Sequence, residues 1–239
     1  EASRQAKGTA IVNVLQLEEG EKVQTFIPIP EFDDKKYLFF VTQKGTVKKT
    51  SLAEFSNPRK GGIIALGIDE GDSLVSVLLT DGKQDIIIAT REGMAIRFNE
   101  DDVRSMGRTA FGVIGIKLKD DIVIEAVLAD PKKTLLSITE KGYGKRTPVD
   151  DYRLIGRGGV GVINFNITDK TGKVVAVKSV DLANEIMLIS KNGIIIRTTV
   201  QEISEIGRNT QGVRVMRLDD GDEVMSAALV VENGEPNGE

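Results

Sequence analysis

Hydrophobic residues in this chain fall in short runs rich in Ile, Val and Leu, each bounded by polar turns. One pattern has an apolar strand, a charged turn ending in glycine, and a second strand ending in a basic residue. It recurs at 37–49, 85–97, 134–146 and 185–197. Runs this short and rich in β-branched residues predict strands, and the glycine between them predicts a hairpin turn.

A second pattern follows each hairpin and also opens the chain. It begins with a basic, glycine-rich loop, continues as an apolar strand and an acidic turn, and ends in another apolar strand. The loops lie at 3–8, 57–62, 107–112, 156–161 and 207–212, and the acidic turns at 18–21, 69–72, 119–121, 169–173 and 219–222. The final loop glycines, Gly8, Gly62, Gly112, Gly161 and Gly212, recur about every fifty residues, which suits a four-stranded propeller blade.

This repeat predicts an all-β, propeller-like disc of four-stranded blades over residues 1–231. The chain holds five copies of the second pattern but four of the hairpin, so we expect it to begin within its first blade. The stretches 52–56, 100–106 and 200–206 are expected to be connections with at most single helical turns. The acidic, aperiodic tail 232–239 is expected to be disordered.

Composition removes several classes of function. The chain has no Cys and no His, which excludes disulfides, thiolate and imidazole metal sites, and histidine-dependent catalysis. No apolar run is long enough to span a membrane. Acidic pairs such as Asp101–Asp102, Asp150–Asp151 and Asp219–Asp220 have no other ligand type near them in sequence and indicate solvated turns. We therefore expect no catalytic centre, cofactor or metal site.

A net charge of −4 taken alone argues against a nucleic-acid partner, but the charges are sorted by position within the repeat. Cations stand four residues after each hairpin glycine, just before that glycine, at a neighbouring strand position, and in the glycine-rich loops. In that order they are Lys49, Arg97, Arg146 and Arg197; Lys44, Arg91, Lys141 and Lys191; Lys48 and Lys145; and Arg4, Lys7, Arg59, Lys60, Arg108, Arg157 and Arg208.

In a disc, each class of position repeats around the circumference. We expect the cations four residues after the hairpin glycines to lie on one continuous rim, and all the sorted cations are candidates for binding a DNA backbone. Glycine next to a loop arginine lets backbone N–H groups approach a phosphate. A structural alternative stays open, because cations at strand ends often only solvate a sheet edge and glycine often only permits a tight turn.

Few aromatic residues are placed to stack on bases. Phe39, Phe40 and Phe165 lie in apolar strands and are expected in the core, whereas Phe111 and Tyr143 lie in turns, where exposure is possible. This scarcity favours contact with a duplex backbone over single-strand binding. A propeller that binds protein is the rival interpretation, and it would need exposed apolar anchors.

Four segments together resemble a known family. Residues 1–23 and 37–55, and the later segments 107–118 and 207–224, are similar to the C-terminal domain of DNA gyrase A. The resemblance covers essentially residues 1–231, and the corresponding domain of topoisomerase IV is the nearest competitor.

The resemblance implies a β-pinwheel, a disc of propeller-like blades that exchange strands with their neighbours, with six blades in the intact family domain. It implies a non-catalytic module that bends double-stranded DNA around a basic rim and so directs negative supercoiling by an ATP-hydrolysing type II topoisomerase. The catalytic tyrosine would lie outside this chain. The implied partners are DNA, the N-terminal breakage-reunion part of the same polypeptide and the separate ATPase subunit, in a cytoplasmic, nucleoid-associated setting with no membrane.

One departure from the family pattern concerns its basic box, Gln-Arg-Arg-Gly-Gly-Lys-Gly. No such string occurs here, and the nearest is 155–161, where Arg157 and three glycines match. The loop 57–62 resembles the basic box less closely. We expect the box upstream of Glu1, in which case the present chain binds DNA but bends it poorly.

Overall fold

A computed structural model of the chain describes residues 20–59 and 61–230, together with Lys7, Gly8, Asn13, Leu15 and Leu17. The strands are β1 (Tyr37–Thr42), β2 (Thr46–Ser51), β3 (Leu74–Thr80), β4 (Asp85–Thr90), β5 (Met94–Asn99), β6 (Val113–Ile114), β7 (Val123–Leu128), β8 (Thr134–Thr139), β9 (Tyr143–Pro148), β10 (Val162–Ile163), β11 (Val174–Val180), β12 (Glu185–Ser190), β13 (Ile195–Thr199), β14 (Val213–Arg214) and β15 (Val224–Val230). Single 3-10 turns follow the second strand of each hairpin, at Leu52–Phe55, Glu100–Asp102, Val149–Asp151 and Val200–Glu202.

The strands form four antiparallel sheets, one for each predicted hairpin. Their orders are β3-β1-β2-β6, β7-β4-β5-β10, β11-β8-β9-β14 and β15-β12-β13. The hairpin supplies the two middle strands, and the second apolar strand of the pattern that follows pairs beside the first hairpin strand. A register shift interrupts that pairing near the hairpin turn in every sheet, for example between Val41 and Thr42.

The outer strand of each four-stranded sheet comes from the next repeat along the chain. β6 pairs with β2 through Val47 and Val113, and β10 pairs with β5 through Ala95 and Val162. β14 joins β9 in the same way. Within the described residues, the fourth sheet ends at β13 without such a strand. The predicted all-β pinwheel with strand exchange is therefore confirmed.

The hydrophobic core consists of clusters that lie between successive sheets. On β4, Ile86 and Ile88 pack with Phe39 of the preceding sheet, whereas Ile87 packs with Leu135 of the following one. Because both faces of β1, β4 and β8 are covered, these first hairpin strands are buried along almost their whole length and are largely apolar. The first three hairpins thus each contribute to two of the hydrophobic clusters, one on either side of their sheet.

Most of the finer predictions about the fold agree with the structure. Phe39, Phe40 and Phe165 are buried, as expected, and Phe111 is exposed, as its position in a turn allowed. Tyr143 is 7% exposed, so its possible exposure in a turn was wrong, because it belongs to the core between the second and third sheets. Three of the 3-10 turns were expected, and the turn at Val149–Asp151 was not. The tail 232–239, residues 3–6 of the first loop and the position of the chain's start within a blade lie outside the described residues.

The hairpin glycines are the points where the next repeat docks. Gly93 has a φ of 80°, and a Cβ added there would lie 2.4 Å from the carbonyl oxygen of Phe165. The N–H groups of Asn164 and Phe165 both donate to the Gly93 carbonyl, at 2.8 and 3.0 Å. Gly193, at the same place in the fourth sheet, has a φ of 84° but no atom within 4 Å of such a Cβ.

These two glycines allow backbone strain to be separated from repeat docking. Gly193→Ala should lower the free energy of unfolding by about 1–2 kcal/mol, the cost of a left-handed non-glycine residue. Gly93→Ala should cost more, by roughly a further 1–3 kcal/mol, because the new methyl group displaces the docked strand. Urea unfolding of both variants measures the difference. Equal losses would show that the contact at Phe165 carries no additional stability.

Candidate nucleic-acid interface

The glycine-rich loops are joined to one another in a row by their arginines. Each loop arginine donates from Nη1 to a backbone carbonyl just after the preceding loop: Arg108 to Ile64 at 3.2 Å, Arg157 to Ile114 at 3.0 Å and Arg208 to Ile163 at 2.9 Å. The acceptors lie at equivalent places, since Ile114 and Ile163 each end an exchanged strand. Four successive loops therefore form a continuous surface, which we name the loop belt (residues 57–59, 61–64, 107–114, 156–163 and 207–214).

Backbone hydrogen bonds fix the geometry of the loop belt. Gly158 N–H donates to the Gly115 carbonyl at 2.6 Å, and Lys117 N–H donates to the Gly159 carbonyl at 2.8 Å. Asn166 N–H similarly bonds the carbonyl of Thr210. These bonds run from repeat to repeat, so the spacing of the loops is set by strand exchange and not by loop sequence alone.

The loop arginines keep donors that an anion can use. A guanidinium group has five N–H donors in a planar fork. Arg208 uses one of them on a carbonyl, and Arg157 uses two, on Ile114 and on the carbonyl of Asp102 at 2.9 Å. All three loop arginines are half-buried, which limits their conformational freedom and orients the remaining donors. The arrangement can hold phosphates at regular intervals.

The structure does not place the cations four residues after the hairpin glycines on an exposed rim. Lys49, Arg97 and Arg146 are buried, whereas Arg197 is exposed. The prediction of one continuous rim is therefore wrong for three of the four. Arg97 donates to the carbonyls of Val149 and Tyr152 in the next repeat, at 3.1 and 3.3 Å.

The equivalent residues make equivalent contacts. Lys49 Nζ donates to the Glu100 carbonyl at 3.0 Å, and Arg146 Nε donates to the Ile203 carbonyl at 2.8 Å. These cations hold the 3-10 turn of the following repeat, so their side chains are enclosed by it. Arg197 has no following repeat within the described residues, and its guanidinium pairs with Glu185.

Lys48 and Lys145, also predicted to bind DNA, lie fully buried beneath the loop belt. Lys48 Nζ bonds the carbonyls of Ala65, at 2.7 Å, and of Arg108. Burial, and the nearby Arg108 guanidinium, lower the pKa of Lys48 to about 8, against the opposing effect of Glu54. A side chain enclosed in this way cannot reach a phosphate outside the loop.

The pKa of Lys145 is lowered to about 7, first by burial and then by Arg208, with Asp151 acting in the opposite direction. The ordinary lysine pKa of 10.5 applies in the unfolded chain. The unfolded state therefore binds more protons between these values, and the free energy of unfolding rises as the pH increases from about 7 to 10.5.

The cations just before the hairpin glycines face the acidic turns. Lys44 Nζ donates to the Glu70 carbonyl at 2.8 Å, and Lys141 Nζ donates to the carbonyl of Asp169. Arg91 pairs with Glu140 at 3.3 Å. Lys191 is exposed, and its backbone N–H bonds the carbonyl of Glu223 beside the last acidic turn. Neighbouring carboxylates make these positions poor sites for phosphate.

The remaining predicted cations lie in the first two loops. Lys7 and Arg59 are exposed, and Arg4 and Lys60 lie outside the described residues. Sequence reasoning missed Arg104 and Arg153, which are exposed and stand four residues before Arg108 and Arg157. Their identical offset in two repeats was the available signal. Arg214, on β14, was also missed, and its guanidinium bonds the Tyr143 hydroxyl at 3.0 Å.

Neither a membrane-spanning helix nor a metal-binding cluster occurs in the part of the chain that the structure describes. None of its helices is long and apolar enough to cross a membrane. Among the same residues, no group of three or more acidic side chains is arranged to hold a metal ion.

The fold and the loop belt define a class of protein: a propeller-like repeat domain with strand-exchanged blades and a row of arginine-bearing loops. The sequence profile described as "DNA gyrase C-terminal domain, beta-propeller" matches residues 1–30, 36–81, 84–128, 133–181 and 184–230. The chain belongs to the DNA gyrase C-terminal domain family.

Individual relatives agree with this assignment. The DNA gyrase A protein of Halalkalibacterium halodurans is 57% identical over 231 residues, covering 96% of the chain and 28% of that protein. The DNA gyrase A protein of Salmonella typhimurium is 44% identical over 233 residues, covering 97% and 26%. The chain thus spans about a quarter of the length of these relatives.

Solved structures with the same fold include two C-terminal domains. A DNA gyrase A C-terminal domain superimposes with a TM-score of 0.84 at 28% identity, covering 95% of the chain and 76% of that structure. The C-terminal domain of DNA topoisomerase IV superimposes with a TM-score of 0.87 at 26% identity, covering 93% and 70%.

The contribution of the buried cations to stability can be tested by comparing Arg97 with Arg197, its exposed equivalent in the fourth hairpin. Arg97→Met should lower the free energy of unfolding by about 3–5 kcal/mol, because Asp85, now paired with Arg97 at 2.9 Å, keeps a poorly compensated charge. Arg197→Met removes the exposed ion pair and should cost about 1 kcal/mol or less. Thermal and urea unfolding measure both. A small effect at Arg97 would mean that this contact does not hold the repeats together.

Proposed function

We propose that the chain is a DNA-binding module of a gyrase-type type II topoisomerase, and that it binds double-stranded DNA along the loop belt. The observation that carries the proposal is the row of arginines Arg108, Arg157 and Arg208, each hydrogen-bonded to the preceding loop. A duplex backbone presents phosphates in a regular series, and a series of equally oriented guanidinium groups matches it.

Charge segregation explains how a chain with a net charge of −4 binds DNA. The acidic turns collect around Lys44, Arg91, Lys141 and Lys191, where several of their carboxylates and carbonyls are already engaged. The loop belt carries its own arginines, and the exposed Arg104 and Arg153 stand a few residues before two of its loops. Local potential, and not net charge, decides where a polyanion binds at a distance of a few ångströms.

The wider role follows from the family. In the complete protein, the module bends duplex DNA around its basic circumference so that the attached enzyme introduces negative supercoils. Its partners in a cytoplasmic, nucleoid-associated complex are the breakage-reunion part of the same polypeptide, with the catalytic tyrosine, and the subunit that hydrolyses ATP. A strong bend requires contacts on both sides of it, and the family's basic box would supply such an additional contact.

A second candidate, an interaction module for another protein, is favoured by apolar side chains on the same surface. Phe111, Ile114 and Val160 are 54%, 54% and 63% exposed, and apolar anchors of this kind are typical of protein interfaces. A topoisomerase IV-type role is a further alternative, since that structure superimposes as well as the gyrase domain does. A measurement of duplex binding distinguishes the protein-interaction module from our proposal.

Salt dependence tests the backbone mechanism. If about five phosphates are contacted, a fourfold rise in salt should weaken binding by roughly 10²–10³-fold, because bound counterions are released. Fluorescence anisotropy of a labelled 40-base-pair duplex, titrated at several salt concentrations, measures the slope. A flat profile, or sequence preference that survives high salt, would contradict backbone binding.

Matched arginine variants test where the DNA lies. Arg157→Ala should weaken duplex binding about fivefold, the loss of one charge-assisted contact of about 1 kcal/mol. Arg91→Ala removes the same charge beside the acidic turns and should change affinity by less than about twofold, since a single exposed charge there is screened at physiological salt. Both are measured by the same anisotropy assay. A larger effect at Arg91 would place the DNA on the acidic side of the molecule.

A further inference from the structure

One exposed apolar residue lies at the same place in three loops of the loop belt. Ile64, Ile114 and Ile163 are 65%, 54% and 41% exposed. Each directly follows a residue that packs against a hydrophobic cluster, namely Ile63, Val113 and Val162. Because side chains alternate along a strand, β6 and β10 turn their valine toward the core and their isoleucine away from it.

The fold does not require an apolar residue at this place. In β14 the same strand position is Arg214, which is exposed. Its equivalence to Ile114 and Ile163 follows from the strand pairing. A charged residue is thus compatible with strand exchange, and packing does not select an isoleucine here. Recurrence of an exposed isoleucine in three loops therefore indicates contact with a molecule outside the chain.

Every one of these isoleucines is joined to a loop arginine. Each isoleucine carbonyl accepts a hydrogen bond from Nη1 of the arginine in the next loop, and the three pairs are Ile64 with Arg108, Ile114 with Arg157 and Ile163 with Arg208. The three N–O distances lie between 2.9 and 3.2 Å. Cationic and apolar groups thus alternate along the loop belt, with one pair at each junction between loops.

Two further apolar side chains extend this surface. Phe111 and Val160, each directly before the final glycine of its loop, are 54% and 63% exposed. The Phe111 ring is held against the preceding repeat, since a Cβ added at Gly67 would lie 3.0 Å from it. A ring held in this way is a rigid contact surface that loses little conformational freedom when a ligand covers it.

A polyanion with apolar faces matches the alternation. In a DNA duplex, phosphates alternate along each backbone with deoxyribose rings, and protein contacts outside the bases go to these two groups. The C–H groups of the sugar present apolar surface at the groove edge. A protein partner would favour anchors clustered at the centre of an interface, whereas these isoleucines lie one to a loop beside an arginine. The arrangement favours a duplex over a protein.

We propose that Ile64, Ile114 and Ile163, with Phe111 and Val160, contact the deoxyribose rings of a bound duplex and supply the part of its affinity that salt does not weaken. This inference rests on the proposed DNA-binding function. Contacts between arginine and phosphate release counterions and therefore weaken steeply with salt. Burial of apolar surface releases none, so moderate salt leaves its contribution nearly unchanged.

Affinity for a labelled 40-base-pair duplex, measured by fluorescence anisotropy at several salt concentrations, tests the inference. The double variant Ile114→Ser with Ile163→Ser should bind about tenfold more weakly at every salt concentration, because apolar area is no longer buried. Its slope of log K against log salt should equal that of the wild-type chain. Arg157→Ala should instead make the slope shallower by about 0.9, as expected for one lost phosphate contact.

Inorganic polyphosphate is a polyanion without deoxyribose, and it separates direct contact from disturbance of the arginines. The double serine variant should bind labelled polyphosphate as the wild-type chain does, whereas Arg157→Ala should bind it more weakly. Leu182→Ser is the matched control, because Leu182 is 57% exposed in the turn between β11 and β12, outside the loop belt. This variant should bind both ligands like the wild-type chain.

The outcomes separate the inference from the proposed function. Parallel salt lines with unchanged polyphosphate binding support direct contact. Duplex binding by the double serine variant as tight as that of the wild-type chain overturns the inference and leaves DNA binding intact. A shallower slope or weaker polyphosphate binding by this variant also overturns it, since the loss would then come from displaced arginines. If the wild-type chain binds no duplex at any salt concentration, the proposed function fails and the inference fails with it.

Discussion

The exchange of a short strand between neighbouring repeats is the interaction on which the rest of this structure depends. Each hairpin leaves one edge with unpaired N–H and C=O groups, and an exposed edge is an unstable arrangement for a sheet. The following repeat supplies two residues, such as Val113 and Ile114, that pair with this edge. Because the same repeat also carries the next hairpin, closing one edge fixes the position of the next sheet. Packing between sheets then buries both faces of the first hairpin strand in the first three sheets, β1, β4 and β8.

Strand exchange also determines what the basic residues do. It brings the 3-10 turn of one repeat over the strand end of the previous one, where carbonyl groups without helical partners need donors. Lys49, Arg97 and Arg146 provide those donors and are buried in doing so. Arginine is suited to this position because its fork can serve a carboxylate and carbonyls together, as Arg97 does with Asp85, Val149 and Tyr152. Recurrence of the cation in the first three hairpins thus reflects a shared structural task.

Fewer cations are available at the surface than the repeat pattern alone suggests. Arginines of the glycine-rich loops remain partly accessible and follow one another at the spacing of the repeats. Acidic turns lie beside the cations that precede the hairpin glycines, Lys44, Arg91, Lys141 and Lys191. A binding surface for a polyanion can therefore exist on a chain that is acidic as a whole, because opposite charges occupy different parts of each repeat. Buried lysines beneath two of the loops connect this surface to the interior.

The sequence by itself determined the hairpins, the repeat, the all-β class and the family, since these follow from local apolar runs, turn glycines and their period. It also identified the loops that carry Arg108, Arg157 and Arg208. It did not distinguish those arginines from Arg97 or Lys145, because all are cations at regular offsets from glycine. Only the tertiary structure decided which of these cations are exposed. Each buried cation is covered by residues of the next repeat, which come about fifty to sixty positions later in the chain. That contact leaves no mark on the local pattern of hydrophobic and polar residues, so strand exchange, and with it the separation of structural from surface cations, could be read only in three dimensions.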